Sequence, residues 1–183
     1  MPHINRLRLV NVNFNDAKGI YDNFMMRLDG KSTTYDLMNT GGKSLLLLML
    51  LQTVIPNTYL KKEKPVKNIF AGGNPRRTSH CLVEWILDEG YQYKYMLTGF
   101  CARKKQDIGD EENNSEDKLE IDYYNYCYFY NDENRYDIKY MPLVEKENGE
   151  NTYMSYDKLR QLFANMRKED LPIKVFASKK EYM

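Results

Sequence analysis

The sequence has no long hydrophobic run, and this limits the classes of protein to which it can belong. Its longest uninterrupted apolar stretch covers residues 45–51, whereas a helix that crosses a bilayer needs about 20 such residues. The opening stretch, MPHINRLRLV, also lacks the apolar core of a signal peptide. We therefore expect a cytoplasmic protein that does not contact a membrane.

Histidine and cysteine are scarce. The chain has two histidines and three cysteines, and Cys81, Cys101 and Cys127 lie too far apart to form a C-x-x-C pair. This pattern argues against a zinc site. All three cysteines fall in strand-like stretches, which indicates reduced, buried thiols.

Charge of one sign is not in excess either. There are 27 basic and 26 acidic residues, for a net charge of +1, so bulk charge gives no reason to expect nucleic-acid binding. Apolar residues make up 42% of the 183 residues. That is enough for the packed core of one domain, covering residues 1–183.

The N-terminal third of the sequence predicts three strands, at residues 4–14, 20–28 and 32–37. In the first, Leu7 and Leu9 alternate with Arg6 and Arg8, which predicts one buried and one solvated face. Asp29-Gly30 predicts a turn between the second and third strands.

A helix is predicted after Gly42, in KSLLLLMLLQTV. The segment is apolar on every side, as in a helix buried inside a domain, and Pro56 ends it. A polar connection, residues 56–77, leads into two predicted hairpins, at 78–87 with 91–103 and at 119–130 with 136–144. Between the hairpins, residues 104–118 are acidic and predict a mobile loop.

The C-terminal part predicts a helix at 155–169, capped by Ser155, and a strand at 173–176. Ser178 followed by Glu181 has the spacing of a capping box, so a further helix is expected to begin where the sequence stops. We expect the chain to be part of a longer protein. The fold class expected is α/β with α+β character, in which a strand and a buried helix accompany an antiparallel meander.

The stretch DLMNTGGKSLLLLML, residues 36–50, resembles a phosphate-binding loop. Residues 37–44 fit the pattern G-x-x-x-x-G-K-[ST] except at the first glycine, where this sequence has Leu37. Glycines let backbone N–H groups approach phosphates, and the N-terminus of a helix carries partial positive charge. In such a loop Lys43 reaches the β- and γ-phosphates and Ser44 places its hydroxyl on Mg²⁺. The other interpretation is a glycine turn that caps a core helix.

Asp88 and Glu89, in VEWILDEG, offer a second motif. An apolar strand that ends in Asp-Glu often supplies the Mg²⁺-binding and water-activating carboxylates of a phosphate-loop enzyme. Glu84 interrupts the apolar run, and two strands of matching length flank Asp88-Glu89-Gly90. A hairpin turn is therefore the favoured interpretation.

Together, the strand ending in Asn-x-Asn-Phe, the second strand, NTGGKSLLLLMLL and the following meander resemble the N-terminal half of an SMC-like ATPase head. The resemblance is to large bacterial proteins of the chromosome-segregation ATPase type, whose loop reads Asn-Gly-Gly-Gly-Lys-Ser. Asn39 matches that loop, Thr40 replaces its first glycine, and residues 41–44 match.

The resemblance implies that this half of a P-loop head binds ATP and Mg²⁺ but holds no catalytic residue of its own. It implies that a C-terminal half supplies the remaining motifs, and that two heads dimerise around ATP to act on DNA near the nucleoid, in segregation, repair or defence. Such heads also carry a metal-sensing glutamine, and residues 172–183 contain none. Either metal sensing is lost or another residue takes its place. The nucleotide-binding residues implied are Asn39, Thr40, Gly41, Gly42, Lys43, Ser44 and Leu45, with Arg76 or Arg77 near the nucleotide and Ser44 on the Mg²⁺.

Two other functions stay open at this point. One is a small self-contained P-loop NTPase that uses Asp88 and Glu89. The other is a non-enzymatic interaction module, built on the tyrosine-rich sheet, with a decayed phosphate loop.

Overall fold

Eight strands and three helices make up the part of the chain that the computed structural model describes, namely residues 1–14, 19–37, 42–56, 78–105 and 121–182. In chain order they are β1 (His3–Phe14), β2 (Gly19–Arg27), α1 (Lys43–Gln52), β3 (Thr78–Ile86), β4 (Tyr95–Lys104), β5 (Ile121–Tyr130), β6 (Val144–Glu147), β7 (Glu150–Tyr153), α2 (Tyr156–Lys168), β8 (Ile173–Phe176) and α3 (Lys179–Tyr182).

Six strands form one sheet in the order β2-β1-β3-β4-β5-β8, and every neighbouring pair is antiparallel. β6 and β7 form a separate hairpin. The fold is therefore mixed α/β with an antiparallel sheet. The predicted strands at 4–14, 20–28 and 173–176, the first hairpin and the first strand of the second hairpin all lie in this sheet.

Successive side chains of a strand point to opposite faces of a sheet. Both faces of the central strands are covered, each by its own core. One face, the α1 face, carries Leu7, Leu9, Cys81 and Val83 against α1. The other, the α2 face, packs against α2. Its buried members include Val10, Leu82, Leu97, Tyr124, Tyr126, Tyr128, Tyr130, Leu159, Phe163 and Met166.

The predicted helix ends are confirmed in α2 and α3. Ser155 caps α2, where its hydroxyl accepts the backbone N–H of Lys158 at 3.3 Å. Ser178 does the same for Glu181 at 3.3 Å, and the Glu181 carboxylate accepts the backbone N–H of Ala177 at 3.0 Å. The reciprocal bond of this capping box therefore goes to the residue before the cap.

Two predicted strands are absent. Residues 32–37 form no strand; residues 32–36 are exposed, so there is no buried face to fix a pairing register. Most of residues 136–144 form turns, because the Asp137 carboxylate accepts the backbone N–H groups of Lys139 and Tyr140, at 2.8 and 2.9 Å. Such local bonds compete with a strand ladder.

The solvated face predicted for β1 is also wrong. Arg6 and Arg8 are 8% and 4% exposed. Arg6 forms two hydrogen bonds with the buried carboxylate of Glu84, at 2.7 and 2.8 Å. Arg8 donates to the carbonyls of Ile138 and Met141, at 2.9 and 3.0 Å. Each buried guanidinium therefore has acceptors that offset its loss of water.

Helix α1 is covered on one side only, in contrast to the prediction that it is buried all round. Leu48 and Met49 are buried against the α1 face, whereas Leu47 is 49% exposed. None of the described helices is long and apolar enough to cross a membrane.

Candidate functional site

The position just before α1 has a backbone conformation that glycine adopts more easily than other residues. Gly42 is the N-cap and has φ 74°, ψ 26°, in the left-handed region, which L side chains rarely adopt. A Cβ at this position would lie 3.2 Å from the hydroxyl oxygen of Tyr21 and 3.3 Å from Phe14. The backbone conformation therefore favours glycine here, and a side chain would also require Tyr21 or Phe14 to shift by a few tenths of an ångström.

The first turn of α1 suits a negatively charged ligand. Among the described residues no side chain caps the helix, and the first turn contains no acidic residue. The N–H groups of a helical first turn have no partner within the helix, and the helix dipole adds partial positive charge at this end. The side chains of Lys43 and Ser44 are exposed, so a lysine ammonium and a serine hydroxyl flank these amides.

Three contacts fix α1 to the rest of the molecule. The Cys81 thiol of β3 donates to the Met49 carbonyl at 3.2 Å. Asn125 of β5 donates its side-chain N–H to the Gln52 carbonyl at 2.9 Å, and the Tyr182 hydroxyl donates to the Thr53 carbonyl. Burial raises the pKa of the Cys81 thiol and of Tyr182, so both stay protonated as donors. These contacts hold the C-terminal part of α1 against β3, β5 and α3.

Aromatic packing shapes the floor below Gly42. The Tyr21 ring lies between Phe14 and Phe24, with centroid distances of 4.8 and 4.9 Å. Tyr21 is buried, and burial raises the pKa of its hydroxyl. Sequence reasoning missed these residues and Asn125. For Asn125, the one available signal was an amide in the middle of the strand YYNYCYFY.

The predicted nucleotide-binding residues divide between the described and undescribed parts of the chain. Gly42, Lys43 and Ser44 lie together at the start of α1, and the Leu45 side chain packs into the α1-face core. Asn39, Thr40, Gly41, Arg76 and Arg77 lie outside the described residues, as do residues 106–118 of the predicted acidic loop.

Asp88 and Glu89 lie at the other end of the sheet. They belong to the connection between β3 and β4, where the backbone N–H of Leu87 donates to the Lys94 carbonyl at 2.9 Å. Ile86, the last residue of β3, pairs with His3, the first residue of β1. Gly42 lies beside Phe14, the last residue of β1. β1 has 12 residues, so its ends are about 35 Å apart at roughly 3.3 Å per residue. These carboxylates cannot reach a ligand bound at Lys43.

Comparison with known proteins assigns no family. Neither a scan against models of protein families nor a search of curated proteins finds a match. Within the described ranges, no group of three His, Cys, Asp or Glu side chains is placed to hold a metal ion.

Proposed function

We propose that the chain is the ATP-binding N-terminal half of an SMC-like ATPase head that dimerises around ATP to act on DNA. The observation that carries the proposal is the start of α1, where a left-handed glycine, packed closely against Tyr21 and Phe14, precedes an exposed Lys43 and Ser44. This is the local geometry that a phosphate-binding loop needs at its helix end.

Each residue of this end has a defined role in the proposal. The α1 amides bind phosphate oxygens, Lys43 neutralises charge on the β- and γ-phosphates, and the Ser44 hydroxyl is a ligand of Mg²⁺. Bound Mg²⁺ draws charge from the phosphates and so favours transfer of the γ-phosphoryl group. Asn39, Thr40, Gly41 and either Arg76 or Arg77 complete the site by resemblance alone.

Hydrolysis in this proposal needs residues from outside the chain. Asp88 and Glu89, the acidic pair suggested by the sequence, face away from the α1 end. The distance disfavours a self-contained NTPase that uses them. A C-terminal half and a second head would supply the missing carboxylate and signature motif.

The outer surface of α1 supports a larger assembly. Leu47, Val54 and Ile55 are large apolar side chains, each more than a third exposed. Leu47 lies within the helix whose N-terminus forms the candidate site, and Val54 and Ile55 follow its C-terminus. In the proposal, the C-terminal half of the head covers this surface.

The first test measures nucleotide binding directly. A fluorescent ATP analogue is titrated with the 183-residue chain in the presence of Mg²⁺, and binding is followed by fluorescence anisotropy. Lys43→Ala should weaken binding by about tenfold or more, because a lysine–phosphate contact is lost. Lys94→Ala removes an exposed lysine from the far end of the sheet and should leave the affinity unchanged.

Equal affinity in the Lys43→Ala and Lys94→Ala variants would count against the proposed site. The absence of nucleotide binding, both in this chain and when it is joined to its C-terminal half, would favour the non-enzymatic interaction module. Turnover by the joined halves that depends on Lys43 would distinguish an ATPase from a nucleotide-binding protein.

A further inference from the structure

A cleft lies where α2 and α3 meet β8, the strand at one edge of the sheet. Among the described strands, β8 ends the sheet, with β5 on its inner side. The cleft is lined by Arg160 and Arg167 of α2, Val175 of β8, Ala177, and Glu181 of α3. It combines an open strand edge, whose outward backbone groups can pair with another strand, with two cationic side chains.

Neither arginine of the cleft forms an ion pair within the described part of the chain, whereas three other arginines do. Arg6 pairs with Glu84, Arg103 with Asp122 and Asp157, and Arg135 with Glu169. Arg160 and Arg167 are exposed and form no such pair within the described ranges. The Glu181 carboxylate, although it lines the cleft, accepts the backbone N–H of Ala177.

The spacing of the arginines suits carboxylates on an extended chain. They are seven positions apart in α2, so they lie about two turns apart on one face, about 10 Å along the helix axis. In a strand, side chains on one face repeat every second residue, at about 7 Å. Two flexible arginines at this spacing can each reach a carboxylate at alternate positions of a strand beside β8.

The size of the cleft favours side chains over a small-molecule ligand. Its volume is about 170 Å³, below the roughly 300 Å³ at which ligand pockets begin.

We propose that the β8 edge binds an extended acidic segment of a partner protein by strand addition. The segment adds a seventh strand to the sheet through backbone hydrogen bonds with β8, and carboxylates at alternate positions pair with Arg160 and Arg167. This proposal does not depend on nucleotide binding at α1.

The probe for this site is a fluorescein-labelled octapeptide of alternating Glu and Val, which places all its carboxylates on one face of a strand. We expect anisotropy to show binding to the 183-residue chain. The double substitution Arg160→Gln and Arg167→Gln should weaken it about tenfold or more. The matched control is Lys158→Gln with Lys168→Gln, which removes the same charge from exposed positions of α2 outside the cleft. It should change the affinity by less than about threefold, because these exposed lysines do not line the cleft and solvent and salt weaken such charges.

A second peptide tests strand addition itself. N-methylation of alternate residues removes backbone donors but keeps every carboxylate, and should abolish binding if the peptide pairs with β8. Equal binding of the methylated peptide would reduce the site to a charged surface and overturn the proposal. Equal losses in the arginine and lysine double variants, or no binding up to about 1 mM peptide, would overturn it as well.

Discussion

At the scale of single residues, Gly99 shows how one side chain decides what its neighbour can be. Gly99 lies in the interior of β4, opposite Tyr126 of β5. A Cβ there would lie 1.9 Å from the Tyr126 ring. Tyr126 is fully buried, and its ring packs on Phe163 of α2 at a centroid distance of 4.5 Å. The ring crosses over the glycine, as at other strand glycines where a neighbour approaches closely.

Gly99→Ala should therefore destabilise the fold by about 3 kcal/mol, the upper end of the usual cost of overpacking a core. The measurement is the free energy of unfolding in urea. Tyr126→Phe is the control, because the Tyr126 hydroxyl is buried without a hydrogen-bond partner among the described residues. Losing that hydroxyl should cost little or even stabilise the protein. A Gly99→Ala variant as stable as Tyr126→Phe would show that the ring can move aside.

At the scale of the elements, a buried polar network connects three strands. Glu84 of β3 accepts hydrogen bonds from Asn5 and Arg6 of β1, and from the Tyr130 hydroxyl of β5. Burial alone would lower the pKa of Arg6, but the hydrogen bonds and charge of Glu84 raise it overall. Arg6 therefore stays charged, and Glu84 is its compensating anion.

Glu84→Ala should cost about 3–5 kcal/mol of unfolding free energy, because the buried Arg6 guanidinium then keeps only the exposed Glu133 carboxylate, at 4.0 Å, as a counter-charge. Thermal and urea denaturation measure the loss. The matched control is Glu169→Ala, which removes the acidic partner from the exposed Arg135–Glu169 ion pair. We expect no measurable change there, since exposed pairs contribute little. Similar losses in both variants would contradict the role of burial.

At the scale of the whole molecule, His80 links stability to pH. It is fully buried in β3, where its Nε2–H donates to the Met154 carbonyl at 2.8 Å, just before α2. Its Nδ1 has no partner among the described residues. Burial, assisted by the nearby charge of Arg8, lowers the pKa of His80 to about 4. The folded chain therefore holds this ring neutral at pH values where an unfolded chain protonates it.

The sign of the pH dependence follows from that difference. Above about pH 6.5 the ring is neutral in both states and the full stability is present. As the pH falls toward 4, the unfolded state gains a proton that the folded state does not, and up to about 3 kcal/mol is lost from this residue. Urea denaturation at pH 7 and pH 5 should show a smaller loss in His80→Gln than in the parent chain. An equal loss in both would assign the pH dependence to other groups.

Local pattern predicted much of this fold from the sequence, and contacts distant in sequence account for part of the errors. β1 and α2 follow from alternation and helical spacing over a few residues. The segment 136–144 does not form the predicted strand, because the Asp137 carboxylate binds nearby backbone N–H groups. Its Ile138 carbonyl also binds Arg8, 130 positions away in sequence. The burial of Arg6 and Arg8 was also missed, because most of their hydrogen-bond acceptors lie at least 78 positions away in sequence. At the candidate site, the motif predicted Gly42, Lys43 and Ser44 at a helix start, but gave no sign that Phe14 and Tyr21 pack closely against Gly42.

The separation between the two ends of the sheet has a practical consequence for those who handle the protein. Gly90, in the β3–β4 connection, has open space where a side chain would project, and it lies at the end away from α1. A cysteine introduced at the exposed Tyr91 would carry a dye or a surface tether there, since loop tips tolerate such changes. The native thiols of Cys81 and Cys101 are fully buried, whereas Cys127 is partly exposed and would be replaced by serine before labelling. Labelling at this tip would leave the α1 end free for single-molecule or immobilised binding measurements.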